Sequence, residues 1–442
     1  MIRIISDVEK ARQTVLKRRP WAEVEVPPQV AEGIRRVFGE PLTPHQAVAR
    51  ILADVRERGD AALLDYSRRI EGVELDNLAV SAEEMDTAWQ TTPAELREAL
   101  SLAAERIRAF HQRQPKSSWL EWRQGEAVGQ IVRPLERVGI YVPGGKAVYP
   151  SSLLMAATPA QVAGVAEIVV TSPPGPEGRI APVILAAARI AQVERVFKLG
   201  GAQAIGALAF GTETVPRVDK IVGPGGLFPV LAMRQVFGVV GVAGLPGPTE
   251  ALIIADDSAR PALVAADLLA QAEHDELATP LLLTPSAALA EAVRREIEAQ
   301  LAPLPRRGII ARALEGQGAI VLVGSVEEAV ELANGYAPEH LCLLVRDPWS
   351  LVGQVKHAGG IFLGEPSSES LGDYVVGPSH IMPTGGTARF SSPLNVWDFL
   401  KITGLFAVEE EVARQLTPAA VAIAQAEGLT AHAAALRKRV RG

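Results

Sequence analysis

Several features that would assign this chain to a special class are scarce or missing. Cys342 is its only cysteine, so no disulfide can form within the chain. It lies in the apolar run Leu341–Val345, where a small core residue is expected rather than a reactive thiol. Aromatic residues make up only 5% of the sequence, and the net charge is −7. That charge excludes the basic field that attracts nucleic acid or anionic lipid.

No segment has the pattern of a membrane span or a secretory signal. The stretch from Ala147 to Ala166 is uncharged, but it contains Pro150, Pro159 and several polar residues, which favours a buried loop and helix. Residues 1–20 include acidic side chains and lack an apolar core segment. We therefore expect a cytoplasmic protein with no membrane partner.

The remaining composition is that of a globular α/β protein. It is 48% apolar and 21% charged over 442 residues, more than the roughly 250–300 residues that one core usually serves. Residues 44–70 and 81–112 have the spacing of amphipathic helices. Two series of short apolar runs alternate with helical segments and predict strands at 168–170, 196–199, 220–222, 251–255, 281–283, 320–322, 342–345 and 361–363.

This alternation predicts two Rossmann-like units, each a parallel sheet flanked by helices, with helical segments at both ends of the chain. We expect an N-terminal arm over residues 1–37 and a cofactor-side domain over 141–248. A second α/β domain would combine residues 38–140 with 249–394. The glycine- and proline-rich stretch Gly241–Pro248 would join the domains, and residues 395–442 would form a C-terminal helical segment.

Three glycine-rich loops follow predicted strands in the first series, although no GxGxxG motif is present. They are Pro143-Gly144-Gly145, Gly200-Gly201-Ala202-Gln203 and Gly223-Pro224-Gly225-Gly226. Any one loop could be a tight strand-to-helix turn. Three in one unit favour a phosphate-accommodating crevice at the carboxyl ends of the strands.

Four of the seven histidines lie in short polar clusters. The clusters are Gln271-Ala272-Glu273-His274, Glu339-His340, Asp373 through His380, and Glu427 through His432. Each one alone could be a helix end, a capped loop or a solvated surface. Together they offer carboxylate, amide and imidazole groups, which suit Zn²⁺ or a similar ion better than Mg²⁺ or Ca²⁺. A histidine is also the natural base for an alcohol at neutral pH.

In this order, these segments resemble the histidinol dehydrogenase family. The resemblance covers roughly residues 40–442, and its motifs are Arg137–Gly145, Gly200–Ile205, Val218–Gly225, Gln271–His274, Tyr336–Leu341, Gly372–His380 and Leu429–His432. It implies NAD-dependent oxidation of L-histidinol to L-histidine through histidinal, in histidine biosynthesis. It also implies a homodimer in which the C-terminal segment crosses to the partner.

The resemblance further implies a role for each polar side chain. His340 would accept the alcohol proton, and Glu339 would activate water. One Zn²⁺ per subunit would be bound by Gln271, His274, Asp373 and, across the dimer, His432. These four, together with His340, Thr249, His380 and Glu427, would contact substrate. NAD would contact Tyr141, Gln203 and the position of Gly226.

The sequence departs from the family pattern on the cofactor side and at the joint. Gly226 replaces an Asn that contacts NAD, and Met233 replaces a common Lys. Thr249 stands in place of Ser, and Ala243-Gly244 in place of Asp-Met. These changes keep two alternatives open: a related dehydrogenase acting on another small polar alcohol, and a metal-binding relative without dehydrogenase activity.

Overall fold

The computed structural model describes residues 2–18, 28–144 and 147–440. Gly145 of the first glycine loop and residues 19–27 of the expected N-terminal arm lie outside this range. The strands are β1 (Arg3–Ile5), β2 (Trp119–Arg123), β3 (Glu126–Pro134), β4 (Arg137–Tyr141), β5 (Glu167–Ser172), β6 (Arg195–Lys198), β7 (Lys220–Val222), β8 (Gly241–Val242), β9 (Glu250–Ala255), β10 (Thr279–Thr284), β11 (Ala319–Leu322), β12 (His340–Leu344), β13 (Gly360–Leu363) and β14 (Leu400–Val408).

The α-helices connect and cover these strands. They are α1 (Val8–Gln13), α2 (Pro28–Phe38), α3 (Pro44–Arg58), α4 (Asp60–Tyr66), α5 (Ala82–Thr91), α6 (Ala94–His111), α7 (Pro150–Ala163), α8 (Pro182–Ile190), α9 (Gly201–Phe210), α10 (Leu227–Val236), α11 (Pro261–Ala272), α12 (Ala287–Leu301), α13 (Arg307–Gly316), α14 (Val326–Tyr336), α15 (Glu369–Leu371), α16 (Glu410–Ala426) and α17 (Thr430–Arg439). Two π-helical turns occur at Ser67–Glu71 and Gly372–Val376, and 3₁₀ turns at Pro348–Gln354, Thr387–Arg389 and Val396–Phe399.

A five-stranded sheet is built from the first series of strands. Its order is β6-β5-β4-β7-β8, and all four pairings are parallel. Val170 faces a core formed with α5 to α8, whereas its neighbour Val169 faces a core formed with α3, α4, α9 and α10. Burial on both faces explains why these strands are short, continuous apolar runs.

A six-stranded parallel sheet is built from the second series, in the order β1-β11-β10-β9-β12-β13. Ile253 faces α11 to α13, and Leu252 and Ile254 face α1 and α14. Every residue of β9 and of β12 is buried. The expected α/β class, with two parallel sheets flanked by helices, is therefore confirmed.

The structure corrects the expectation for the C-terminal segment, residues 395–442. Residues 400–408 form a strand rather than a helix, because β14 pairs antiparallel with β3 along its whole length, from Leu400 opposite Pro134 to Val408 opposite Glu126. With β2 it forms a three-stranded sheet. At the other end of the chain, β1 adds to the edge of the six-stranded sheet beside β11, so part of the N-terminal arm is a strand.

The packing of the early helices bears on the domain boundaries, which stay a proposal. Helices α3 to α6, within residues 44–111, cover both faces of the five-stranded sheet. The sequence grouped residues 38–140 with 249–394 instead. We propose that these helices belong to the domain of residues 141–248, because their apolar side chains are buried against the five-stranded sheet of that domain.

The uncharged stretch between residues 147 and 166 forms α7, with Pro159 inside the helix and most of its side chains buried. This agrees with the expected buried helix. None of the helices in the described part of the chain is both long enough and apolar enough to cross a membrane.

Opposite ends of the two parallel sheets contribute to one region. Tyr141 ends β4, and Gly200 and Gly223 follow β6 and β7, so they share the carboxyl edge of the five-stranded sheet. Glu250 and His340 begin β9 and β12 at the amino edge of the six-stranded sheet.

Helix α7, which comes after β4 in the chain, contacts the segment that follows β13. Ser152, in the first turn of α7, lies 3.0 Å from His380, measured from Oγ to Nε2.

We expect Gly223→Ala to destabilise the fold. Gly223 has φ +125°, and a Cβ there would lie 2.2 Å from the carbonyl oxygen of Tyr141. The strained backbone and the clash should lower the free energy of unfolding by about 2 kcal/mol or more. Gly226→Ala is the matched control in the same loop. Gly226 has φ −72°, and no described atom lies within 4 Å of a Cβ built there. Denaturant unfolding that gave equal stabilities for both variants would contradict this account.

Candidate functional site

The catalytic pair predicted from sequence lies at the amino end of β12. Helix α14 is capped by Ala337, a non-glycine residue in the left-handed region with φ +54°. Pro338 follows it. This turn leads into Glu339 and His340, which are only 6% and 3% exposed. Glu339 Oε2 accepts hydrogen bonds from the Thr249 hydroxyl at 2.7 Å and the Glu250 backbone N–H at 3.0 Å. One oxygen of the Glu339 carboxylate is thus held by β9 and the residue before it.

His340 is fixed in a definite tautomer. Its Nδ1 lies 3.1 Å from the Glu250 carbonyl oxygen, so Nδ1–H donates and Nε2 carries the lone pair. Nε2 is buried, has no hydrogen-bond partner among the described residues, and lies 3.6 Å from Asp373 Oδ1. Burial lowers the pKa of His340, but the carboxylates of Glu339 and Asp373 outweigh it and hold the pKa well above its ordinary value. A cation bound at Asp373 would oppose this rise, and the neutral ring, with Nδ1–H donated to Glu250, would then present its Nε2 lone pair to the site as a proton acceptor.

Gln271 lies in the last turn of α11, and His274 comes just after this helix. Because α11 runs back from the carboxyl end of β9, both residues lie near the amino edge of the six-stranded sheet. Gln271 is 1% exposed. In the orientation that satisfies its amide, the nitrogen donates to Glu369 Oε1 at 2.8 Å and the oxygen accepts from the Glu250 backbone N–H at 3.2 Å. Burial lowers the pKa of His274, although Asp373 and Glu339 oppose this effect. A neutral imidazole with a lone pair is the form that can ligate a metal.

Asp373 and His380 are placed by the π-helical turn Gly372–Val376. His380 Nδ1–H donates to the Asp373 carbonyl at 2.7 Å, and His380 Nε2 accepts from the Ser152 hydroxyl at 3.0 Å. Burial raises the pKa of the Asp373 carboxyl, but the interaction with His340, followed by the charges of His380 and His274, outweighs burial and lowers it. The carboxylate is thus anionic at neutral pH.

The single chain brings together most of the residues predicted from sequence. They are Thr249, Gln271, His274, Glu339, His340, Asp373 and His380. Glu427 and His432 are exposed at the junction of α16 and α17 and do not join this cluster within one chain. Their roles stay a prediction that depends on a second copy.

The donor set fits a zinc ion in part. Gln271, His274 and Asp373 offer an amide oxygen, an imidazole and a carboxylate, the donor types that suit zinc in the absence of thiolates. Within the described ranges, no group of three or more His, Cys, Asp or Glu side chains is already arranged around a metal position. A fourth ligand from outside this cluster is needed to complete a tetrahedral set.

The residues predicted for NAD lie at the carboxyl edge of the five-stranded sheet. The Tyr141 hydroxyl accepts from the Gly201 backbone N–H at 3.3 Å, and burial raises the Tyr141 pKa. Gln203 is fully buried, and its Oε1 has no partner among the described residues. Gly226 is exposed at the start of α10. Tyr141 ends β4 and Gly226 follows the neighbouring strand β7, where the strand order reverses and where ligands of such sheets bind beyond the carboxyl ends of the strands.

Four residues of the site escaped the sequence reasoning. Glu71 accepts from the Gly200 backbone N–H at 3.0 Å, and burial raises its pKa to about 7. Glu369 contacts Gln271, and burial raises its pKa to about 8. Glu250 and Arg18 form an ion pair close to Glu339 and His340. Glu250 and Glu369 could have been suspected from their positions beside Thr249 and Asp373, whereas Glu71 and Arg18 carry no local signal.

Comparison with known proteins agrees with this geometry. A sequence model described as histidinol dehydrogenase matches residues 40–440. The histidinol dehydrogenase of Deinococcus radiodurans is 55% identical over 425 residues, which cover 96% of this chain and 97% of that protein. The enzyme of the same name from Aquifex aeolicus is 51% identical over 396 residues, covering 89% and 92%.

A solved structure gives the same result. The crystal structure of histidinol dehydrogenase from Elizabethkingia anophelis superposes with a TM-score of 0.90 at 33% identity, covering 100% of this chain and 98% of that one. The chain therefore belongs to the histidinol dehydrogenase family.

Proposed function

We propose that this protein oxidises L-histidinol to L-histidine through histidinal, with NAD as the oxidant in both steps, as the last reaction of histidine biosynthesis. The observation that carries the proposal is the fixed His340 tautomer, whose buried Nε2 lone pair faces the region of Asp373, His274 and Gln271. The family membership supports the same reaction. A cytoplasmic location is part of the proposal.

The first oxidation requires loss of a proton and a hydride from the alcohol. His340 Nε2 accepts the hydroxyl proton, while the nicotinamide of bound NAD supplies the hydride acceptor. The hydrogen bond from Nδ1–H to the Glu250 carbonyl keeps Nε2 free for this role. Because His340 is buried, bulk water does not compete with the substrate hydroxyl for its lone pair.

The second oxidation adds water to the aldehyde and removes another hydride. Glu339 accepts a proton from the attacking water. Its Oε2 is anchored by Thr249 and Glu250, and the carboxylate lies beside His340, which positions it for this role. Loss of the second hydride then gives the carboxylic acid, which releases a further proton as it ionises to the carboxylate of histidine. Each histidinol therefore consumes one water and reduces two NAD.

We propose that zinc is held by Gln271, His274 and Asp373 of one chain and by His432 of a second copy. When bound, the ion would hold the imidazole and amine of the substrate and so orient its alcohol. Thr249, His380 and Glu427 would complete the substrate contacts. His380 is itself held at both ring nitrogens, by Asp373 and Ser152, so its orientation is fixed before substrate arrives.

A direct test is to follow NADH absorbance with the purified protein, zinc and limiting L-histidinol. The proposal requires two NADH per histidinol. Turnover of another small polar alcohol but not histidinol would favour a related dehydrogenase. Absence of turnover with every alcohol, despite stoichiometric zinc, would favour a metal-binding relative without this activity.

We expect His340→Gln to lower kcat by roughly 10²–10⁴, the usual size of a general-base contribution. Zinc content should be unchanged, because His340 is not among the proposed ligands. His45→Gln is a suitable control, since His45 is exposed on α3 and its described hydrogen bonds are with Gln235. Near-normal turnover of the His340 variant would exclude it as the base.

The proposed sharing of the metal site between chains predicts complementation. His432→Ala and His274→Ala should each lose zinc and activity as homodimers. Mixing them under conditions that exchange subunits should restore activity, because one of the two sites in a heterodimer would again have all its ligands. The control is each variant mixed with itself. Verified exchange without recovery would contradict a site completed by the second copy.

Gly226→Asn should strengthen NAD binding. The extended backbone at Gly226 and the open space around it can accept a side chain without strain. One restored hydrogen bond, worth about 0.5–1.5 kcal/mol, should lower the NAD dissociation constant by roughly 2- to 10-fold. Calorimetric titration with NAD, using Gly226→Ala as control, would measure it. Equal affinities of the two variants would place this residue outside the cofactor site.

A further inference from the structure

Arg18 lies close to the catalytic pair although it belongs to the N-terminal segment. It follows β1 and α1, more than 200 residues before its partners in sequence, and it precedes residue 40, where the family match begins. The segment reaches this place because β1 adds to the outer edge of the six-stranded sheet and α1 packs across one of its faces. The side chain is partly buried there.

The Arg18 guanidinium joins two pieces of chain that flank the site. Its Nε donates to the Tyr336 carbonyl at 2.7 Å, and its Nη2 donates to the Ala337 carbonyl at 3.0 Å. Nη2 also donates to Glu250 Oε2 at 2.8 Å, and Nη1 donates to Glu250 Oε1. The same plane stacks over the Tyr336 ring, 3.5 Å from its centroid. Only a planar fork of donors can satisfy this set, so Lys cannot replace Arg here.

Both pieces lead directly to the catalytic residues. Ala337 is the strained turn that directs the chain into Glu339 and His340. The Glu250 backbone N–H binds Glu339 Oε2 at 3.0 Å, and the Glu250 carbonyl accepts from His340 Nδ1 at 3.1 Å. Arg18 therefore fixes the distance between the two backbone segments on which the orientation of the pair depends.

We propose that Arg18 is a positioning residue that clamps the Tyr336–Ala337 turn to Glu250 and thereby holds Glu339 and His340 in their reactive orientation. This inference rests on the proposed function for its kinetic test. It assigns Arg18 no contact with substrate or cofactor. Without the Arg18 side chain, Glu250 would be a buried carboxylate with no cation beside it. The carbonyls of Tyr336 and Ala337 would also lose a hydrogen-bond donor.

The kinetic test compares Arg18→Ala and Arg18→Lys with Arg389→Ala. Arg389 is a matched control because its Nη2 donates to the carbonyls of Asn334 and Gly335, at 3.2 Å and 2.7 Å, at the same end of α14. Arg389 has no bond to Glu250 among the described contacts. We expect kcat to fall by roughly 10- to 100-fold in both Arg18 variants, the size expected for a misplacement of about 1 Å. The KM for NAD should stay within about 2-fold, as should all constants of Arg389→Ala.

Chemical rescue separates positioning from general destabilisation. Added guanidinium at millimolar, non-denaturing concentration should restore part of the activity of Arg18→Ala, and sodium at equal ionic strength should not. Should Arg18→Ala fail to fold, Arg18→Lys keeps the charge and carries the test. Equal losses in the Arg18 and Arg389 variants, or unchanged kcat in Arg18→Lys, would overturn the proposal.

A spectroscopic readout keeps this inference distinct from the proposed function. The Nδ1–H proton of His340, hydrogen-bonded to a buried carbonyl, should give a slowly exchanging downfield resonance, assigned by its absence in His340→Gln. It should shift or broaden in both Arg18 variants and persist in Arg389→Ala. If the unmodified protein does not oxidise histidinol, the proposed function fails but this resonance still decides on Arg18. An unchanged resonance in the Arg18 variants would overturn the clamp.

Discussion

The site depends on the peptide groups of Glu250, the first residue of β9. Its N–H binds the carboxylate of Glu339, and its carbonyl accepts the Nδ1–H of His340. Since β9 is a central, fully buried strand of the six-stranded sheet, these groups are as immobile as the core itself. Glu339 and His340 thus take their orientation from the backbone of the sheet, and the proposed Arg18 clamp adds the link to the turn that precedes them. This explains how a pair at the end of a turn can be held for proton transfer.

The same arrangement concentrates negative charge in a dry region. Glu250, Glu339 and Glu369 are each no more than 6% exposed, and Asp373 lies among them. Burial, with the neighbouring Asp373 and Asp267, raises the pKa of Glu369 to about 8, so at neutral pH this carboxyl is mostly protonated and no longer adds to the charge. Glu250 is paired with Arg18. The charges left over, on Glu339 and Asp373, are those that the proposed zinc would offset, together with His340 once it has accepted the alcohol proton.

Local patterns in the sequence predicted most of the scaffold. Runs such as Leu281–Leu283 and Ile320–Leu322 lie in strands of the parallel sheet because fully buried strands leave continuous apolar runs. Such patterns cannot report which distant segments meet. For example, β1 has only three residues, and it is a strand because it pairs with the distant β11.

Residues whose position depends on tertiary structure were missed for the same reason. The strand β14 was assigned to a helical segment because its ladder with β3 is a long-range interaction. Arg18 and Glu71 reach the site from segments with no chemical motif. The resemblance to the family implies the roles of Glu339 and His340, and the local geometry supports them. Even the fold of one chain does not account for the predicted role of His432, because this residue lies on an exposed helix outside the cluster of the other metal donors.

The exposure of the C-terminal segment is a physical argument for a second copy. Within one chain, α16 and α17 bury only a small cluster around Val421, Ala424 and Ala433. Large apolar side chains stay exposed on this segment, with Phe406 at 83% and Ile423 at 61%. Two helices that bury so little of their own apolar surface would gain stability by covering another chain in the proposed dimer. The proposed exchange would bury these side chains and carry His432 to the metal donors of the partner in the same step. The folding of the tail and the completion of the site would then be one event.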